Sequence, residues 1–518
     1  MKRFLFSIII FTVLCFLSYA EEGFTHLATI SGDSTGDRYS IVDGGGDVNG
    51  DGYNDLIVGA PGGNYAELFL GGPDFDTIPE YIFKVRSRGS GFGKSVSIEG
   101  DLNSDGFDDI IIGSHNTGPN NNVHVYFGAS KLDTIPDIVL TGSSYFNFGH
   151  KVLSGFDING DEYDDFIMST TVGSFFTKGV ISIYLGGPDS LCFYTSILGK
   201  EGDVLGTDID YVGDINKDGC DDLIVGADQH LISKPGKAYL IYGGEEINLD
   251  SSTVFYGDSI NYPHGYFGRY VSGLGDVNGD GYPDIGIVGG DYVQVISGKS
   301  LDVLFNISNP ENEFGDFYSL TGGKDVNNDE IPDMALCLQN APNNSTKNNI
   351  LFYKGHLNLD SIPNYMISRP AEFGYFNNIS FIGDINNDKN NEIAFGETPM
   401  GKGKVYIYSY SKTEKIKNTK NMNVHFNLKQ NYPNPFNSKT KIQYYIPKKC
   451  NMELSIYDFL GQKIKTLESG YKNHGRHSIY WNGKDEFGMN VPSGIYFYKL
   501  ITSSGKNTVI IRKMIYLK

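Results

Sequence analysis

Apolar residues in this chain fall into short runs, divided by polar stretches rich in glycine, asparagine and aspartate. Leu56-Ile57-Val58-Gly59 and Leu223-Ile224-Val225-Gly226 are unbroken runs of the kind that fill buried strands. Val123 to Phe127 and Val180 to Leu185 alternate instead, and a glycine closes each, as at a half-buried strand entering a turn. Asp137 to Leu140 supplies a further strand of the same unit. No segment keeps a helical period. Most units open on Phe-Gly or a relative: Phe92-Gly93, Phe148-Gly149, Leu205-Gly206, Phe267-Gly268, Phe314-Gly315 and Phe373-Gly374. Four short strands in about 56 residues make a propeller blade, and 4–8 blades close around a channel.

Each unit also carries an acidic loop of the form D-x-N-x-D-G-x-x-D. Its seven copies start 49 to 62 residues apart, which marks a closed or stacked array. Oxygen donors stand at positions one, three, five and nine. They are Asp47, Asn49, Asp51 and Asp55; Asp101, Asn103, Asp105 and Asp109; and Asp157, Asn159, Asp161 and Asp165. The later copies supply Asp214, Asn216, Asp218 and Asp222; Asp276, Asn278, Asp280 and Asp284; and Asp325, Asn327, Asp329 and Asp333. Asp384, Asn386, Asp388 and Glu392 form the seventh. A tight curl brings such donors to one point, and an all-oxygen set suits a hard cation such as Ca²⁺. No His or Cys accompanies the loops, which argues against zinc. An EF-hand needs a bidentate Glu at position twelve, but that position is always apolar here, from Val58 to Phe395. Up to seven Ca²⁺ are therefore expected. The third, sixth and seventh loops replace the position-six glycine by Glu162, Glu330 and Lys389, and Lys389 sets a positive charge beside the seventh site, the weakest expected.

Charge adds a boundary. The 518 residues hold 42 basic and 62 acidic side chains, a net of −20. From Ser411 onward there are 19 Lys/Arg and 6 Asp/Glu; the first 410 residues hold 23 and 56. An acidic module thus precedes a basic one, and nucleic-acid binding is not expected. Lys2 and Arg3, the apolar run Phe4 to Leu17 and Ser18-Tyr19-Ala20 read as a signal peptide over residues 1–20. That run falls short of the ~20 residues that span a bilayer. After cleavage no transmembrane segment is expected. Cys192, Cys220, Cys337 and Cys450 show no CxxC spacing, and only a Cys192–Cys220 bridge stays open.

The Phe-Gly starts and Gly59-Ala60-Pro61 resemble FG-GAP repeats, the blades of the integrin α-subunit propeller and of many secreted bacterial proteins. The resemblance covers about residues 24–410 and implies seven blades, with Ca²⁺ in the turn between the first two strands of a blade. Gly36-Asp37-Arg38, Met168-Ser169-Thr170 and Leu336-Cys337 depart from the pattern. The last repeat stops after its third strand, Val405 to Tyr408, and a spare strand, Thr25 to Ile30, precedes the first. That strand is expected to complete the seventh blade and remove an exposed edge.

The expected fold is thus all-β: a seven-bladed β-propeller over residues 21–410, a linker over 411–426 and a small Ig-like β-sandwich over 427–518. In the sandwich, strands are expected at Lys441–Ile446, Met452–Tyr457, His477–Trp481, Gly494–Ile501 and Thr508–Ile515, around a lone Trp481. Its order, Asn431-Tyr432-Pro433-Asn434-Pro435-Phe436-Asn437 through Trp481-Asn482-Gly483 to a Lys-rich end, resembles the type A C-terminal sorting domain of the type IX secretion system. That resemblance implies a Bacteroidota-like Gram-negative source, type IX machinery as a partner of residues 427–518, and a secreted or cell-surface location.

Catalytic signals are weak. Gly32-Asp33-Ser34-Thr35-Gly36 matches a nucleophile elbow, but that motif needs a strand-to-helix turn. No catalytic or cofactor-binding residue is assigned beyond the metal loops. The expected function is a calcium-stabilised, monomeric binding or adhesion module for a glycan or protein. The alternative is a secreted enzyme, such as a polysaccharide hydrolase, with its site at the propeller mouth. Carboxylates meeting in a central pocket would favour the enzyme, and clustered aromatics without them would favour binding.

Overall fold

A computed structural model describes residues 23–411 and 427–517, apart from 74, 86–89, 115–121, 143–146, 172–177, 189–190, 230–233, 258–265, 309–314, 341–346, 357–358, 360, 371–373, 400, 429–430, 432, 447–448, 460, 474 and 505. The signal segment, nearly all of the linker, Phe314 and Phe373 lie outside the described residues. The chain divides into two compact units, 1–417 and 418–518.

The first unit contains seven four-stranded antiparallel sheets. In the first blade, Ile41–Gly44 is innermost, followed outward by Leu56–Ala60, Tyr65–Phe69 and Tyr81–Lys84. The other innermost strands are Phe92–Ser97, Asn147–Phe156, Ile209–Gly213, Tyr270–Gly275, Gly315–Lys324 and Gly374–Gly383. Each packs against the next, and the last packs against the first, so the ring closes. The second strands are the unbroken apolar runs. Leu56–Ala60, Ile110–Ser114 and Asp222–Ala227 are buried at every position, since neighbouring blades cover both faces.

This packing explains the repeat's glycines. A Cβ on Gly59 would stand 2.1 Å from the carbonyl oxygen of Gly93, and one on Gly226 would stand 2.0 Å from that of Gly268. The glycine that ends a second strand therefore lies against the Phe-Gly glycine of the next blade, and any side chain there would push the blades apart. Ser169 fills that place in the third blade and is fully buried; a Cβ on the facing Gly206 would lie 2.6 Å from the Ser169 Cβ.

Closure follows the expected route. Gly23–Ser31 pairs antiparallel with Lys404–Ser411, with Phe24 opposite Tyr410 and Ile30 opposite Val405. The Phe24 ring also meets Phe352 of the sixth blade edge to face, 4.8 Å between centroids. One N-terminal strand thus completes the seventh blade and packs on the sixth.

The second unit is a two-sheet β-sandwich. Asn427–Leu428, Thr440–Ile446 and Gly475–Trp481 form one sheet; Lys463–Lys472, Cys450–Asp458, Gly494–Ser504 and Lys506–Tyr516 form the other. Trp481 is buried against Phe436, Tyr496 and Tyr516, and its indole N–H donates to the Lys484 carbonyl at 2.9 Å. Lys463–Lys472 is an edge strand that the sequence pattern does not reveal. It is half-exposed along its length and lysine-rich, as edges that resist further pairing are.

All four described cysteines are free, so the Cys192–Cys220 bridge left open by the sequence is not formed. Gly32 to Gly36 lies between two strands, with the Ser34 N–H donating to Asp37, so the nucleophile-elbow context is missing. Among the described residues no helix is long and apolar enough to cross a membrane.

Deleting residues 24–31 is expected to remove the cooperative thermal transition of the propeller, read by circular dichroism. A truncated protein with an unchanged melting curve would show that the closing strand is dispensable.

Candidate functional site

Every acidic loop joins the innermost strand of its blade to the second, so all seven lie at one end of the ring. Their internal geometry repeats closely. The position-one carboxylate accepts the position-five N–H on Oδ1 at 2.8–3.2 Å in every copy. Its Oδ2 accepts the position-six N–H at 2.6–2.9 Å. The position-five carboxylate accepts the position-seven N–H at 2.8–3.2 Å.

This curl forces left-handed backbone at position six: φ is 85–93° at Gly52, Gly106, Gly219 and Gly281 and 69–71° at Glu162, Glu330 and Lys389. A side chain there costs about 1–2 kcal/mol. Position four is left-handed too in all copies, including Ser104, Lys217, Asn328 and Asn387, a demand the sequence pattern does not announce.

Position nine is buried, with no exposed surface in any copy. In the first loop Asp55 accepts the Val48 N–H at 3.0 Å and, across the blade, the N–H of Gly71 at 2.7 Å, where the third strand ends. Asp109, Asp165, Asp222 and Asp333 repeat both bonds. Asp284 keeps the cross-blade bond to Gly298. Of these two bonds Glu392 keeps only the local one to Ile385; its buried Oε1 has the Ser409 side chain nearby but no well-aligned hydrogen-bond partner among the described residues. Burial pushes these carboxyls up: Asp55, Asp165, Asp284 and Asp333 to about 7, Asp109 and Glu392 to about 8, and Asp222 to about 6.

The candidate ligands are close neighbours. In the first four loops the position-three amide N–H₂ donates to position five at 2.8–3.0 Å. In the fifth and sixth it turns inward: Asn278 and Asn327 donate to both oxygens of Asp284 and Asp333 at 2.8–2.9 Å. Positions three, five and nine are therefore within one side-chain rotation of each other. Among the described residues no three carboxylates, histidines or thiols stand ready-gathered around a metal. The oxygen-only set, the exposed position-five carboxylates and the poorly paired Glu392 oxygen fit a hard cation that would gather them.

The loops also join blade to blade. Position eight reaches the loop before it: Asp108 accepts the Asp47 N–H at 2.6 Å, Asp164 that of Asp101 at 2.8 Å and Asp221 that of Asp157 at 3.0 Å. Asn54 does the same for Asp384 at 3.1 Å, from the first blade to the seventh. Backbone bonds run parallel to these, from Gly72 to Ile385, Ala129 to Val48 and Gly187 to Leu102. Comparing the repeats in register would have exposed position eight, which is Asn or Asp in five copies and Pro in two.

A second candidate is the central channel, a cavity of about 780 Å³ lined by the innermost strands. Asp43, Glu99, Asp208, Asp210 and Asp228 line it, and neighbouring blades hold three of them. Asp43 accepts the Ile98 N–H at 3.1 Å, Asp208 that of Val271 at 3.2 Å and Asp210 that of Gly273 at 3.1 Å. Lys324 pairs with Glu99 and Lys151 with Asp208, the latter at 2.7 Å. Burial pushes Asp210 up to about 7.

The FG-GAP repeat model matches residues 39–75, 92–126 and 211–241, and the FlgD Ig-like domain model matches residues 436–506. Three stretches of the first unit thus match FG-GAP repeats, and parts of it are similar to integrin α subunits. It is 31% identical over 185 residues to integrin alpha-5 of Xenopus laevis, covering 33% of this chain and 17% of that one. It is 36% identical over 137 residues to integrin alpha-7 of Rattus norvegicus, covering 24% and 12%. It is 29% identical over 166 residues to the phosphatidylinositol-glycan-specific phospholipase D of Mus musculus, covering 27% and 20%. The chain thus spans a fifth or less of the length of these relatives.

Gly106→Ala is expected to destabilise the propeller by about 1–2 kcal/mol, and Lys389→Gly to stabilise it by roughly half as much. Denaturant titration checks both; equal effects of opposite sign to these would exclude backbone strain as the cause. Asp210→Asn tests the channel. A carboxyl with a raised folded-state pKa loses stability as pH rises through about 7, so this variant should gain melting temperature at pH 8 and little at pH 5.

Proposed function

We propose that the protein is a calcium-stabilised propeller that acts outside the cell as a binding or adhesion module for a glycan or protein ligand. What carries this reading is the seven-fold recurrence of one oxygen-lined loop that links neighbouring blades. A cation drawing positions one, three, five and nine together would tighten each loop on its buried carboxyl and, where position eight is Asp or Asn, on the preceding blade. The similarity to integrin α subunits supports binding as the role, at the level of the fold.

Export is proposed to use the C-terminal unit as a type IX sorting domain, after signal-peptide cleavage at Ala20, in a Bacteroidota-like bacterium. The order of motifs from Asn431 to the Lys-rich end supports this, and the Ig-like sandwich is compatible with it.

A hydrolase reading draws on the five channel carboxylates, Asp228 among them, and on the partial similarity to a phospholipase D. General acid–base work needs a carboxyl free to exchange a proton with substrate. Asp43, Asp208 and Asp210 accept backbone N–H groups of the next blade, and Glu99 pairs with Lys324. These contacts favour a structural role and leave binding as the better reading.

Chelation tests the calcium claim. EDTA should lower the melting temperature by many degrees and millimolar Ca²⁺ should restore it, because a ligand bound only by the folded state stabilises it. No shift in either direction would refute metal-coupled stability. Asp51→Ala or Asp280→Ala should weaken the Ca²⁺ response more than Asp388→Ala. A glycan array and pull-down on the full chain would identify the ligand.

A further inference from the structure

The channel carries charge of both signs at each end. The acidic loops leave the ends of the innermost strands, and Glu99 and Lys324 lie at those ends. Lys94, Lys151 and Arg269 lie at or towards the strand starts together with Asp208 and Asp210, and all of them line the cavity, as does Asp228 just past the second strand of the fourth blade. Lys151 has its partner in Asp208. Lys94 and Arg269 have no carboxylate partner among the described residues. Lys94 is half-buried, and burial lowers its pKa first, with repulsion from Lys151 and Arg38 adding to it. Arg269 is set among tyrosines, its guanidinium carbon 4.9 Å from the ring centre of Tyr266, 5.7 Å from Tyr270 and 5.8 Å from Tyr318.

A half-buried ammonium near two other cations is unfavourable, and among the described residues no carboxylate pairs with it. The propeller segment is otherwise strongly acidic, with 23 basic against 56 acidic residues, so general surface charge does not account for this cluster. An oxyanion entering from this end would meet an ammonium and a planar fork suited to bidentate contact. Of these tyrosines Tyr270 lines the cavity, and its ring would give a sugar a flat apolar face. The volume, about 780 Å³, is within the ~300–1,000 Å³ usual for small-ligand sites.

We propose that the channel mouth formed by Lys94, Lys151, Arg269 and Tyr270 binds the carboxylate or sulfate group of an acidic sugar on an extracellular glycan. This rests on the binding-module reading and narrows it to one ligand chemistry and one place.

The test uses the full chain in Ca²⁺ and three probes of equal length in isothermal titration: an oligogalacturonate, a sulfated oligosaccharide and a neutral oligosaccharide. At least one acidic probe should bind, more weakly as salt rises, and the neutral one should not; which acidic probe binds separates carboxylate from sulfate. Lys94→Gln and Arg269→Gln should each weaken that binding about tenfold or more. Lys441→Gln, in the other unit, should leave it unchanged. Melting curves of the variants with Ca²⁺ confirm that they fold. Binding of the neutral probe as tightly as the acidic ones, acidic binding indifferent to both mouth variants, or no acidic binding would each overturn the proposal. A glycan or protein ligand from the array or pull-down that ignores Lys94 and Arg269 would overturn it too, while leaving the binding-module reading intact.

Discussion

Each blade is held at one end by a carboxyl buried without exposure at the ninth position of its acidic loop. In five blades that group accepts one N–H from its own loop and another from the point where the third strand ends, so one side chain fastens three strands. Burying an ionisable group is unfavourable unless it is fully paired, which explains why these carboxyls are pushed towards neutrality. A cation at the loop would reverse that balance by favouring the ionised form. The stability of the ring and the chemistry of the loops are then one question.

The same logic changes the meaning of the acidity. Three carboxylates in each of seven loops account for 21 acidic residues, a large share of the excess that gives the chain its net charge of −20. These groups belong to the loops, whereas the cations proposed to meet a ligand, Lys94 and Arg269, lie towards the other end of the channel, which carboxylates also line. A surface-wide view of the protein as acidic would point away from an anionic ligand, and the channel mouth points towards one.

Much of this was legible in the sequence because repetition reinforced it. Seven copies of the loop and the Phe-Gly starts fixed blade number and loop placement, and the unpaired strand at Thr25–Ile30 announced closure on Lys404–Ser411. What stayed hidden has physical reasons. Lys463–Lys472 has no buried alternation to detect because it is an edge. Left-handed position four accepts Gly, Ser, Lys and Asn, so composition there carries little signal. Lys94, Lys151 and Arg269 come from three blades and are 57 or more residues apart, and only the closed ring brings them together.

Amide hydrogen exchange at the third-strand exits, Gly71, Gly128, Gly186, Gly243, Gly298 and Gly355, tests the central claim most directly, since these N–H groups donate to the position-nine carboxyls. If cation binding in the loops fastens the blades, all six should be strongly protected in Ca²⁺ and lose protection together on chelation. Unchanged protection at these glycines, with faster exchange confined to the exposed positions four to six, would show that the loops and the ring are held independently.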